Sequence, residues 1–237
     1  MTGLTPREKS VNLGSMPYRK TVFANNEVYH IVNRGVADSP IFVSPKEYQR
    51  FLNLIDFYHF ADLTTNFSHY MTLELKTREL FRQKMKNPLV EILAYCLMPN
   101  HFHLLLKQIK DNGISKMLAN LQNGYVRYFN LRHNRHGPLF QSMFKAVRIE
   151  TDEQLLHVSR YIHLNPTTSY LVKSENLLSY PWSSLAEYLH KRKPIFTNPS
   201  LVLALAGGKK SYKNFVYDQI EYQRELNKIK HLTLENS

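Results

Sequence analysis

The chain has 237 residues, 43% of them hydrophobic, with eight Gly and 11 Pro, so a packed core of one domain with extensions, or two small domains, is expected and a fibrous or disordered chain is excluded. Its single cysteine, Cys96, excludes an intramolecular disulfide and fits a reducing cytosol. Thirty-one Lys and Arg against 19 Asp and Glu leave a net charge of +12, and with 15 Tyr and 13 Phe among them that excess points to a polyanionic partner, nucleic acid first of all.

Residues 1–26 carry few periodic signals and read as an N-terminal extension. The opening "MTGLTPREKS" has no apolar run of the signal-peptide kind. The longest apolar-rich stretch, Leu89 to Met98, contains Glu91 and is too short to span a bilayer. A cytoplasmic protein without a membrane partner is therefore expected.

"EVYHIVNRG" (27–35) alternates, with Val28, His30 and Val32 on one face and Tyr29 and Ile31 on the other, which predicts a strand ending at Gly35. "SPKE" (44–47) starts a helix, with Ser44 as N-cap, Pro45 in the first turn and Glu47 three residues after the cap. Tyr48, Phe51, Leu52 and Ile55 continue it at helical spacing to about Phe60. Residues 61–89 have no clear period and read as an insertion holding one helix. "VEILAYCL" (90–97) is a second strand, "MPN" a turn, and "HFHLLLK" (101–107) a third strand antiparallel to the second. A long helix follows over 114–134, its apolar stripe made by Ile114, Met117, Leu118, Leu121, Tyr125, Tyr128 and Phe129. "FKAVRIE" (144–150) is a fourth strand, and "TDEQ" caps a helix expected to end near Asn165, ahead of Pro166. Residues 167–237 are expected to be mostly helical, with a Trp-containing turn, the apolar "SLVLALAGG" and a polar helix near 211–230.

The predicted fold class is α+β: a ferredoxin-like βαββαβ antiparallel sheet with helices on one face and a C-terminal helical extension. The first and third strands are then central. His101 and His103, one strand step apart, project together, while Phe102, Leu104 and Leu106 point into the helix-covered core. Two neutral imidazoles so placed make a metal pair. An isolated H-x-H is more often two histidines on a solvated face, so chemistry needs a third ligand and a reactive group beside them. The helix after the fourth strand offers both. Tyr161 and Asn165 lie four apart on one stripe, joined by His157 and Gln154, with Leu155, Val158 and Ile162 as its core stripe. Tyr125 and Tyr128 are rival tyrosines, but they lie on an apolar stripe without an amide or carboxylate at i+4.

"HIVNRG", "IF...EYQRFL", "AYCLMPNHFHLLL", "YVRYFNLRH", "GPLFQSMFK" and "RYIHLNP" follow in this order. Together they resemble the REP-associated tyrosine transposases, a branch of the single-tyrosine HUH (IS200-like) transposases, over about residues 27–185. The resemblance implies a catalytic domain over 27–166, with 167–237 as an extension. It implies His101, His103 and Asn165 as metal ligands and Tyr161 as nucleophile. Single-stranded or hairpin DNA would be cut and rejoined through a 5′-phosphotyrosine by a monomer or homodimer. It implies Mg²⁺ or Mn²⁺, whereas a histidine pair by itself suits Zn²⁺ or Mn²⁺. Phosphate contacts are expected from Arg34, Arg127, Arg132, Arg135, Lys145 and Arg148, near element ends or on the fourth strand. Two departures stand out: the 61–89 insertion, and "NPTTSYLV", which lacks the basic residue expected after the motif. A regulator that binds structured DNA or RNA without cutting it, and a hydrolase that activates water, are the competing readings.

Overall fold

The computed structural model describes residues 22–220. Most of the expected N-terminal extension, and the part of the expected 211–230 helix that falls after residue 220, lie outside them. In chain order the elements are β1 (Val28–Arg34), α1 (Pro45–Tyr58), α2 (Phe67–Thr72), α3 (Leu75–Lys84), β2 (Val90–Met98), β3 (His101–Gln108), α4 (Gly113–Arg132), β4 (Lys145–Ile149) and α5 (Asp152–Thr168). The sheet order is β2-β3-β1-β4 with antiparallel neighbours, the ferredoxin-like arrangement with β1 and β3 central.

Strand alternation divides the core in two. Tyr29, Ile31, Phe102, Leu104 and Leu106 pack against α1 and α4. Ala94, Cys96, Met98 and Leu105 pack on the other face against Leu155, Ile162 and the C-terminal segment. Helices thus cover both faces: α1 and α4 take the expected one, and α5 closes the histidine side. β2 serves both cores through a bulge, since Ile92 pairs with Leu106 and Ala94 with Leu105, leaving Leu93 as the extra residue.

α1 begins as its sequence signals predict. Glu47 reaches back to the amides of Val43 (2.6 Å) and Ser44 (2.9 Å). Its buried carboxylate also meets His133 Nε2 at 2.7 Å and Arg132 Nε at 3.3 Å, pinning the start of α1 to the end of α4. Burial works to raise the Glu47 pKa, but the Val43 amide, His133 and the Ser44 amide outweigh it and hold the carboxyl below its ordinary value. Glu47→Ala should destabilise the fold by about 2–4 kcal/mol in urea unfolding, because two amides and a cation lose their acceptor together. A depressed folded pKa contributes stability above the unfolded value of about 4.3 and loses it as pH falls through the folded value. The gap between wild type and variant should therefore narrow in acid.

The insertion holds two helices rather than one. Asn66 caps α2 by accepting from His69 N at 2.9 Å. Phe67 and Tyr70 pack with Phe57 and Phe81. α3 buries no residue, so it carries little apolar period to read. α5 runs past the expected stop, with Pro166 inside it. A proline this close to the helix end removes one backbone bond only. Burial of Pro166, Thr167 and Thr168 favours the extra turn, and Thr168 Oγ1 donates back toward the Leu164 and Asn165 carbonyls, both at 3.3 Å.

The C-terminal segment closes the sheet edge. Leu97 N donates to Trp182 O (2.9 Å), Ser184 N to Tyr95 O (3.0 Å) and Asn198 N to Ile92 O (2.8 Å), so the outer side of β2 is paired. Short helices α6 (Leu185–Tyr188), α7 (Ser200–Leu205) and α8 (Lys209–Tyr217) complete the second core. His163 of α5 lies between Tyr212 Oη (2.7 Å) and Ser184 Oγ (2.8 Å), and burial pushes its pKa down to about 3. This neutral imidazole ties α5 to the elements that follow it.

Candidate active site

The register of β1 on β3 sets Val32 opposite His103 and Arg34 opposite His101, and β2 brings Cys96 and Met98 to the other side. His101 and His103 therefore share the face that α5 covers. His103 is only 3% exposed, and its Nε2 is buried with no hydrogen-bond partner. Its Nδ1 lies 2.9 Å from Nε2 of His30, and the two rings stack with centroids 5.2 Å apart. His101 Nδ1 lies 2.7 Å from Asn100 Oδ1. An amide oxygen only accepts, so His101 Nδ1 carries the proton and Nε2 keeps a free lone pair.

Asn165 reaches this pair from α5. Its Nδ2 donates to Tyr161 O at 3.0 Å, which orients the amide. The Asn165 side chain touches both imidazoles. Burial pushes the His101 pKa down to about 4, the Arg34 charge adds to the drop, and Asn165 opposes it. Burial likewise holds His103 well below the ordinary histidine value, helped by the neighbouring imidazoles and Arg34. Burial also brings His30 down to about 4. All three rings are neutral at pH 7, the form that binds metals.

Tyr161 stands one helical turn before Asn165 and is 40% exposed. Its ring meets His103 edge-on, with centroids 5.6 Å apart at 90°, and His30 at 6.1 Å and 76°. Tyr125 and Tyr128 are remote from this cluster, on α4 across the sheet. Tyr125 is buried, donates to Ile41 O, and has its pKa raised by burial. Tyr128 flanks the Arg50 guanidinium, 4.9 Å from its ring centroid.

The other residues expected on the Tyr161 stripe do not join it. Gln154 accepts from Glu150 N at 2.7 Å, and His157 sits with Arg160 and Phe215. The six basic residues also separate. Lys145 pairs in register with Val32, which places it with Arg34 on the histidine face. Arg148 pairs with Tyr29 on the opposite face and bonds Glu27 at 2.9 Å. Arg127 borders a groove with Arg50 and Tyr128, Arg132 holds Glu47, and Arg135 donates to Pro138 O at 3.3 Å. Arg132 lies toward the β2–β3 turn, because Glu47 starts α1 and Ile41 and Phe42, just before α1, bond Pro99 O.

His30 and Asn100 are the site residues that sequence reasoning did not single out. The alternation of β1 already put His30 on the Val32 face, and pairing β1 against β3 would have brought it to His103. The "NRG" turn is held tightly. Buried Asn33 donates to Gln122 Oε1 at 2.6 Å, and a Cβ on Gly35 would stand 2.1 Å from Ser39 O. Arg34 is fixed between these two.

Among the described residues no three His, Cys, Asp or Glu side chains converge on one metal position. A metal here needs the Asn165 oxygen as third protein ligand. The site fits that role: Asn100 and His30 occupy the Nδ1 atoms of the two rings, His103 Nε2 is buried without a partner, and the Asn165 side chain lies beside both imidazoles.

Residues 58–165 match the family model described as Transposase IS200 like. His101, His103, Tyr161 and Asn165 all fall inside the matched residues. Among solved structures this chain is similar to a REP-associated tyrosine transposase bound to a REP hairpin, at 14% identity over 78% of this chain and 93% of that one, with a TM-score of 0.49. No curated protein matches it. No helix among its described residues is long and apolar enough to cross a membrane.

Proposed function

We propose that this protein cuts and rejoins single-stranded DNA through a 5′-phosphotyrosine formed at Tyr161, at hairpins of the REP kind. The observation that carries this reading is the Tyr161 ring set against His103, whose inward nitrogen is buried and unpartnered. Tyr161 Oη attacks the scissile phosphorus and gives up its proton to water at the exposed mouth of the site. The new P–O bond replaces the bond to the 3′ oxygen, which leaves as a free hydroxyl. The same hydroxyl, or that of another strand, reverses the step, so no nucleotide cofactor is consumed. Asn165, held by its bond to the Tyr161 carbonyl, keeps the nucleophile and the histidine pair in fixed relation. Arg34, on the same face and paired with exposed Asp38, would receive a flanking phosphate in exchange. A divalent ion, Mg²⁺ or Mn²⁺, held by His101, His103 and Asn165 would polarise the phosphate and offset its developing charge.

Denaturing electrophoresis after incubation with labelled hairpin DNA tests the reading. A covalent protein–DNA band supports it. Free cleaved ends alone would favour a hydrolase, and intact DNA would favour a binding protein. Binding should also weaken steeply with salt. About five phosphate contacts to a single strand give a log–log slope near −3.5. A flat titration would contradict the assignment of the +12 charge to DNA.

A further inference from the structure

We infer that His30 sets the tautomer of His103, taking the Nδ1 proton of His103 as a hydrogen bond so that the Nε2 lone pair faces the site. The inference rests on the reading of His103 as a ligand. The two rings meet nitrogen to nitrogen at 2.9 Å, so one nitrogen of that contact carries the proton and the other accepts it.

The two alternatives differ in consequence. If His30 donates, the His103 proton sits on Nε2. That atom is buried and makes no hydrogen bond, the nearby Asn165 amide included, so the N–H would stay unpaired, and it would have no lone pair to offer a ligand. If His103 donates, its Nε2 needs no acceptor and keeps its lone pair, in a ring that lies beside both Asn165 and Tyr161. His30 then keeps its own proton on Nδ1, away from the contact, which its half-buried position allows. The first arrangement leaves a buried donor unpaired and the second does not. The geometry therefore selects the second.

The same logic acts on the other histidine. Asn100 Oδ1 takes the Nδ1 proton of His101 at 2.7 Å. The two rings are held in the same tautomer by two different acceptors, one from the β2–β3 turn and one from β1. Partners of this kind fix the orientation and basicity of metal-binding histidines. His30 is a positioning residue: it acts through His103.

The test compares wild type with His30→Phe, which keeps a ring but has no acceptor, and His30→Gln, whose Oε1 restores one near the position of Nε2. Two-bond ¹H–¹⁵N spectra of the metal-free protein report which His103 nitrogen is protonated. Wild type and His30→Gln should show a protonated Nδ1, and His30→Phe should lose that single state. Mn²⁺ titration followed by electron paramagnetic resonance should show His30→Phe weakened about 10- to 100-fold, with His30→Gln recovering most of the loss. Thermal melting verifies that each variant is folded. A wild-type His103 protonated on Nε2, or a folded His30→Phe with unchanged His103 signals, would overturn the inference. If wild type binds no Mn²⁺ while the spectra come out as expected, the ligand reading fails and the tautomer assignment stands.

Discussion

Tyr161→Phe should yield a folded protein that forms no covalent link to DNA. The substitution removes one oxygen and keeps the ring, so the edge-on contacts with His30 and His103 survive. The side chain is 40% exposed, and stability should change by less than about 0.5 kcal/mol. Covalent product should fall to background, because nothing else in the site replaces the phenol oxygen. DNA affinity should stay within about threefold of wild type, since phosphate contacts dominate it. Tyr125→Phe and Tyr128→Phe should both still form the adduct. Tyr125→Phe should be less stable, because it strips a buried bond to Ile41 O and leaves that carbonyl unpaired. Peptide mapping of the trapped adduct decides among the 15 tyrosines: a nucleotide on any other one overturns the mechanism.

The second large effect is expected at the histidine pair. His101→Ala and His103→Ala should each lower cleavage by about two orders of magnitude or more, with DNA binding nearly unchanged. The two should differ in stability. His101 is half-buried and contributes little packing, whereas His103 is 3% exposed and its truncation opens a cavity beside Leu105 and Cys96. His101→Ala is therefore the cleaner variant. A chelator should reproduce the same split, stopping cleavage and sparing binding. Wild-type cleavage by a folded His101→Ala protein would refute the ligand assignment.

Much of this site can be read from local pattern. "HFHLLLK" places two histidines on one strand face and three apolar residues on the other, because side chains alternate with period two. "RYIHLNP" puts a phenol and an amide one turn apart. Helix starts need acceptors for their free amides, and the local signals mark them: Thr151 accepts from Gln154 N at the start of α5, and Glu47 accepts from the Val43 and Ser44 amides at the start of α1. The order of strands and helices follows from these signals, and with it the central place of β3.

What local pattern leaves open is everything that depends on residues far apart in the chain. The apolar run in β2 does not reveal that Leu93 is the extra residue of a bulge, because each neighbour is buried on one side or the other. α3 buries nothing and so shows no period. Pro166 reads as a stop, yet burial of the last turn outweighs one missing bond. His30 is an ordinary strand residue until the register of β1 on β3 brings it to His103. The basic residues look alike in sequence. Strand pairing and the position of α4 place Arg34 and Lys145 beside the histidines and send Arg148 and Arg127 elsewhere.

The amino-acid sequence by itself determined the residue types, their spacing and the faces they share along one element, because those follow from backbone geometry alone. Only the tertiary structure decided which faces meet. The packing of α5 over the sheet delivers Asn165 and Tyr161 to the histidine pair and strips water from His103 Nε2. Non-local burial therefore turns two strand histidines into a site: it lowers their pKa values, leaves one nitrogen without a partner and sets a phenol beside it.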